Sequence, residues 1–372
     1  MSDNHTITRI AAYEARLPVV GGEYRMSHGK VIKEAVSIVV RIETDGGLAG
    51  HGEACPLGSN YLPAYAGGVV PGLAELAPNL LGRSAIEIDP LNRRMDALFK
   101  GHAYVKSPID VACWDILGQA TGQPVWRLLG GRAQTGVPLY HSLTSDTPEA
   151  MVTNAAHYRE KGYRHFQIKC DGHVEMDIAR IRAVCGARQP GETFIADSNQ
   201  GWTQHEAMTV IQAVRNIQVY IEQPCATLAE CLAVREKSPH AFKLDETIDS
   251  VHALLDGWQK NAMDVVCLKV SKVGGLSKAR QIRDLCASMG LAMTVEDVWG
   301  SDIVTAALGH LAISTAPPVM LNATDLNRYN IGSIAEGAPK VAEGRMMVSD
   351  RPGLGINPRW DVLGEPVFDL SI

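Results

Sequence analysis

Long apolar runs are missing from this chain. No uninterrupted hydrophobic stretch approaches the roughly 20 residues that a membrane-spanning helix needs. The opening MSDNHTITRI has no apolar core of a secretory leader. Strong charge of one sign is missing too. A net charge of −6 and a pI near 6.1 argue against nucleic acid or an anionic membrane as the main partner. CxxC pairs are absent. The eight cysteines (Cys55, Cys113, Cys170, Cys185, Cys225, Cys231, Cys267, Cys286) stand singly, mostly in apolar stretches. They read as reduced, buried thiols, the pattern of a cytoplasmic protein rather than a disulfide scaffold or a zinc finger. Low-complexity tracts are lacking as well. What remains, 46% hydrophobic and 20% charged over 372 residues, is ordinary for a globular enzyme with one large domain and a smaller module.

The informative stretch is Phe194–Glu246. Three apolar runs there end in a carboxylate: FIAD at Asp197, YIE at Glu222 and FKLD at Asp245. The spacings are 25 and 23 residues, about one strand, one helix and two short loops. The same period runs upstream through Lys169 to a strand ending near His141. Downstream it runs through Lys269 to Asp297 and Asn322. Eight tips in about 180 residues predict a (β/α)8-type barrel, with its active site at the C-terminal ends of the strands. Three carboxylates converging there, with no His or Cys at those tips, suit a hard dication, Mg2+ before Zn2+.

The flanks read differently. Residues 6–55 look antiparallel, with GGEYRMSHGK as a loop and a hairpin turn at Asp45-Gly46-Gly47. Residues 67–130 look helical. The expected organisation is an α+β capping domain over 1–130, a barrel over 131–345, and a C-terminal return over about 346–372 that packs on the first module.

SPIDVACWDILGQATGQPVWRLLGG resembles the signature helix and linker of the enolase superfamily, in its mandelate racemase and muconate-lactonising branch. The resemblance covers nearly the whole chain and implies a (β/α)7β-like barrel with an N-terminal capping domain. It implies Asp197, Glu222 and Asp245 as Mg2+ ligands, Lys169 and Lys269 as an acid/base pair on opposite faces of a carboxylate substrate, and a symmetric homo-oligomer. The branch usually carries Lys-x-Lys on its second strand; here the pattern is Gln167-Ile168-Lys169. A seventh-strand His is absent from TVEDVWG. Gln167 with Tyr61 in GSNYLP resembles members acting on proline derivatives, the hydroxyproline-betaine 2-epimerases and cis-3-hydroxy-L-proline dehydratases.

Such chemistry suits these residue types. Removing a proton α to a carboxylate builds an enediolate, which a bound dication stabilises. The base must wait neutral, and a lysine crowded by cations can do so. Reprotonation at carbon gives epimerisation; protonation of an anti β-hydroxyl gives dehydration. The eighth-strand tip LNATDL offers small Ala323 and no aromatic residue for a quaternary nitrogen, while Glu296 and Asp297 beside Trp299 could hold a secondary ammonium. The expectation is therefore a free imino acid, with dehydration of cis-3-hydroxy-L-proline ahead of betaine epimerisation. A non-catalytic metal-binding barrel is the remote alternative. His28 is a candidate substrate contact. Asn199 and Trp202 are expected to orient the metal ligands, and Glu246 to pair with a lysine. Lys272 reads as a solvated loop charge.

Overall fold

The computed structural model describes residues 5–372. Ile7–Pro18 and Glu34–Thr44 pair antiparallel, with Ile10 opposite Ile42 and Ala12 opposite Val40, so their apolar residues share one buried face. Ala49–Ala54 extends this sheet on one edge after a turn in which Gly47 takes φ 76°. On the other edge lies Phe368–Ser371, from the far C-terminus. The stretch expected as a loop is instead a short ribbon, Tyr24–Met26 against Lys30–Ile32. Three-residue strands carry too little pattern to be read locally. The ribbon is seated by the barrel: Arg25 N donates to Thr144 Oγ1 at 2.6 Å, and Ser27 Oγ donates to the Asn199 carbonyl at 3.1 Å.

Three helices follow, Val69–Leu76, Ile88–Leu98 and Ala103–Thr121. The last is buried on nearly all sides, because it is wedged between the capping sheet and the barrel. It lies so close to the sheet that a Cβ on Gly52 would sit 2.0 Å from the Pro108 carbonyl oxygen.

The barrel has eight parallel strands in sequential order: Tyr140–Leu143, His165–Lys169, Thr193–Asp197, Tyr220–Glu222, Phe242–Leu244, Val265–Lys269, Ala292–Glu296 and Met320–Ala323. A parallel bridge between Leu139 and Ala323 brings the eighth back to the first. Runs such as FIA and VVCL are apolar without alternation because both faces of each strand are covered. A helix follows each of the first seven strands and none of comparable length follows the eighth, giving (β/α)7β. Two of these helices begin in capping boxes, Thr203 with Glu206 and Thr227 with Glu230, which start them soon after the strand tips. His141 is not the tip of the first strand; it lies inside it, stacked on the Tyr158 ring, while Tyr140 and Ser142 face the barrel mouth. All eight cysteines are buried and unpaired. Among the described residues no helix is long and apolar enough to cross a membrane.

Buried acids lock the capping layer onto the barrel. Glu53 accepts from Ser301 N and Val304 N, at the start of the helix Asp302–Ile313. Asp110 accepts from Ser277 N, at the start of Leu276–Met289. Both carboxylates occupy helix N-termini, where free N–H groups and the helix dipole favour negative charge.

Candidate active site

The barrel register brings acids and amines into one layer. Lys169 is paired with Asp197, Asp197 with Glu222, and Lys269 with Glu296 on adjacent strands. Asp245 follows its strand by one residue. Asp197, Glu222 and Asp245 are at most 1% exposed; Lys169 and Lys269 are 6% and 4% exposed. Lys169 Nζ donates to Asp197 Oδ2 and, at 3.0 Å, to Asn199 Oδ1. Lys269 Nζ contacts Asp245 Oδ2 and the Tyr61 hydroxyl, and Tyr61 in turn donates to Asp245 at 3.2 Å. Each amine therefore rests on a different acid.

Asn199 ties several parts together. Its N–H reaches Asp197 Oδ1 at 2.8 Å and its amide donates to Glu246 at 3.1 Å. Its left-handed φ of 45° lets backbone and side chain turn toward the same carboxylate. Glu246, expected to pair with a lysine, is 9% exposed and instead accepts the hydrogen bond from Asn199; among the described residues it makes no ion pair with a lysine. Gln167 lines the cavity and donates to Glu222 Oε2 at 2.8 Å.

Both lysines line one small cavity between the capping ribbon and the strand tips. Tyr61, Trp299 and Asp297 line it too. Asp297, however, spends its oxygens on Ser271 N, Ser271 Oγ and Val298 N. His28 does not line this cavity; it lies at the surface, 3.3 Å from the Gln200 carbonyl. Trp202 turns away from the acids and donates to Asp177 at 2.9 Å. Lys272, expected to be solvated, is a correction: its side chain is 4% exposed and its Nζ lies 2.8 Å from Asp245 Oδ1. The helical turn Val270–Val273, directly after the strand, places it beside Asp245. A larger cleft, about 880 Å3, opens at the opposite rim, where Thr193 and Tyr220 begin their strands. It holds none of these acids or lysines, so the smaller cavity is the candidate site.

Sequence reasoning missed an aromatic wall. Tyr24 from the capping ribbon, Trp299 and Tyr329 pack with ring centroids 5.2 to 6.1 Å apart. The eighth strand lacks an aromatic residue at its tip, but the turn after it supplies Tyr329. It also missed Lys243, fully buried with Nζ 2.8 Å from Glu222 Oε1. This is a charge contact without hydrogen-bond alignment. Parity was the available signal: Lys243 precedes Asp245 by two residues, as Gln167 precedes Lys169, so both face inward.

Electrostatics follow from burial. Enclosure, and then the nearby Asp197, push the Glu222 carboxyl up to about 8. Enclosure and Asp245 push Glu246 up to about 7. Burial alone would lower Lys169 and Lys269, but Asp197 and Asp245 outweigh it and hold the amines above the ordinary lysine range.

The acids fit a hard dication. They offer carboxylate oxygens only, they are enclosed, and Glu222 Oε1 has no hydrogen-bond partner. Six buried carboxylates (Asp197, Glu222, Asp245, Glu246, Glu296, Asp297) face four buried lysines (Lys169, Lys243, Lys269, Lys272). With all six ionised, two additional positive charges would balance the group, and a dication there would offset the burial that otherwise raises Glu222 and Glu246. A tighter set of donors lies deeper: atoms of Glu222, Asp245, Cys267 and Glu296 all fall within 4.8 Å of one another. That set contains a thiol and omits Asp197, so the all-oxygen set at the tips is the better match for magnesium.

The pattern described as the mandelate racemase / muconate lactonizing enzyme N-terminal domain matches residues 12–130, and that of the enolase C-terminal domain-like family matches 150–362. A cis-3-hydroxy-L-proline dehydratase of Roseibium aggregatum is 51% identical over 98% of this chain and 100% of its own length. An N-succinyl-L-Arg/Lys racemase of Bacillus cereus is 29% identical over 96% of this chain and 97% of its own. A mandelate racemase/muconate lactonizing enzyme of Roseovarius nubinhibens ISM, solved in complex with magnesium, superposes with a TM-score of 0.95. It is 37% identical and covers 98% of this chain and 100% of its own. With two tip lysines, three buried tip acids and these matches, the chain belongs to the mandelate racemase/muconate lactonizing enzyme family of the enolase superfamily.

Proposed function

We propose that this protein is a hydro-lyase acting on cis-3-hydroxy-L-proline. The observation that carries this reading is the pair Lys169 and Lys269, on strands two and six, lining one cavity. The relative at 51% identity with that printed activity supports the substrate. Asp197, Glu222 and Asp245 would hold Mg2+. When bound, the ion would stabilise the enediolate as a Lewis acid and compete with both ammonium groups for their carboxylates.

One lysine, neutral while it waits, removes the Cα proton. Its partner, as an ammonium, protonates the departing hydroxide at C3 on the opposite ring face, releasing water. The enamine product tautomerises to Δ1-pyrroline-2-carboxylate. Tyr61 positions Lys269 through its hydroxyl, Asn199 positions Lys169, and Gln167 orients Glu222. The aromatic wall and Trp299 exclude water and pack the ring. The capping residues 1–130 with the return over 346–372 supply the lid, and 131–345 supply acids and bases.

Epimerisation is the second reading, because two opposed lysines can also return a proton to carbon. Proton NMR in deuterium oxide with Mg2+ separates the two. Loss of the C3 hydroxyl and a pyrroline signal are expected with cis-3-hydroxy-L-proline. Deuterium wash-in at Cα with inversion and no elimination would replace the dehydratase reading by the epimerase one.

A further inference from the structure

Lys243 lies two residues before Asp245, in the interior layer beneath the strand tips. It is fully enclosed and lines no part of the catalytic cavity, so it is not placed to exchange a proton with substrate. Its Nζ sits 2.8 Å from Glu222 Oε1 and 5.5 Å from the centre of the Tyr140 ring. Around it lies the deeper set of four donors, Glu222, Asp245, Cys267 and Glu296. Cys267 Sγ approaches Glu296 Oε1 at 2.7 Å.

The deeper set differs in kind from the all-oxygen set at the tips. A thiolate is a soft ligand, and first-row ions such as Co2+ and Zn2+ bind mixed oxygen and sulfur sites far better than Mg2+ does. Glu222 and Asp245 belong to both sets. An ion drawn toward Cys267 would keep Glu222 and Asp245, gain sulfur, release the Cys267 proton to solvent, and give up Asp197. The Glu222 oxygen that such an ion would need is the one Lys243 now contacts, 2.8 Å away and without hydrogen-bond alignment.

We infer that Lys243 denies this deeper position to soft dications, its fixed ammonium placing positive charge beside Glu222 where a second cation would have to sit. Lys243 is thus a positioning residue for the metal, acting through Glu222 and not on the substrate. The inference rests on the metal reading given above.

Co2+ tests it in the full-length, chelator-stripped protein, because thiolate ligation produces a near-ultraviolet charge-transfer band and carboxylate ligation does not. The wild type is expected to show no such band, and Cys267→Ser to leave its Co2+ spectrum and Zn2+ affinity unchanged. Lys243→Met keeps the bulk and removes the charge. It is expected to gain the band and to shift the Zn2+ over Mg2+ preference by about tenfold or more. The band should vanish in Lys243→Met combined with Cys267→Ser. A thiolate band in the wild type overturns the inference, and so does a folded Lys243→Met with neither band nor altered preference. Should Lys243→Met not fold, the wild type against Cys267→Ser decides: any Cys267-dependent difference refutes it. Failure of the underlying metal reading is separately visible as Mg2+ affinity untouched by Asp197→Asn.

Discussion

Glu53→Gln tests how the capping layer is held over the site. The Glu53 side chain is buried and takes four hydrogen bonds on two oxygens. Oε1 accepts from Ser37 Oγ at 2.6 Å and Ser301 N at 2.8 Å; Oε2 accepts from Ser301 Oγ at 2.7 Å and Val304 N at 2.9 Å. Glutamine can place only one oxygen. Either amide orientation turns an NH2 toward a backbone N–H, of Ser301 or of Val304. The serine hydroxyls can rotate to accept; the N–H groups cannot. One buried backbone donor is therefore orphaned, at about 1–3 kcal/mol, and the remaining bonds lose charge assistance worth roughly another 1 kcal/mol. Burial opposes the ionised form of Glu53, and the neutral amide recovers part of that cost. The net expectation is a loss of about 1–3 kcal/mol, read as a lower urea midpoint at unchanged slope. Ser37→Ala removes one hydroxyl and should cost about 1 kcal/mol. If Glu53→Gln moved the midpoint by less than Ser37→Ala does, the capping argument would be refuted.

Three further outcomes are expected. Gly52→Ala puts a Cβ 2.0 Å from the Pro108 carbonyl oxygen, backbone that cannot step aside, so the helix Ala103–Thr121 must lift from the sheet. A loss of about 2–4 kcal/mol or failure to fold is expected, and a wild-type melting temperature would contradict that packing. Lys169→Ala and Lys269→Ala should each lower kcat by about 10²–10⁴ on cis-3-hydroxy-L-proline in steady-state assays. Turnover unchanged in both would remove them from the chemistry. Acid should weaken the fold through His310, whose Nδ1 accepts from Trp126 N and whose Nε2 faces the Leu354 carbonyl. Burial pushes its pKa down to about 4, below the unfolded value of 6.5. Its contribution is then complete above pH 6.5 and is lost as pH falls toward 4, by up to about 3 kcal/mol. His141 and His165 shift in the same direction. Urea midpoints that stayed flat from pH 7 to 4.5 would contradict this.

Much of the barrel was legible because its signal is local. Each strand and helix together consume about 25 residues, so Lys169, Asp197, Glu222, Asp245 and Lys269 reveal a shared rim by spacing alone. The capping ribbon was not legible: two three-residue strands carry no usable period, and their place is set by Asn199 and Thr144, more than a hundred residues away. Lys272 misread for a similar reason. A lysine just before loop glycines looks solvated, and only the helical turn Val270–Val273 brings it against Asp245.

By itself the sequence determined the eightfold alternation, the ring of acids and amines at the strand tips, and the family pattern. These depend on chain length per repeat and on residue type, both local properties. Only the tertiary structure decided that Tyr24 and Tyr329 wall the cavity, that Glu53 and Asp110 fasten the cap, and that Lys243 lies against Glu222. Such pairings join residues far apart in the chain, and their energies arise only once burial removes the water that would otherwise satisfy each group alone.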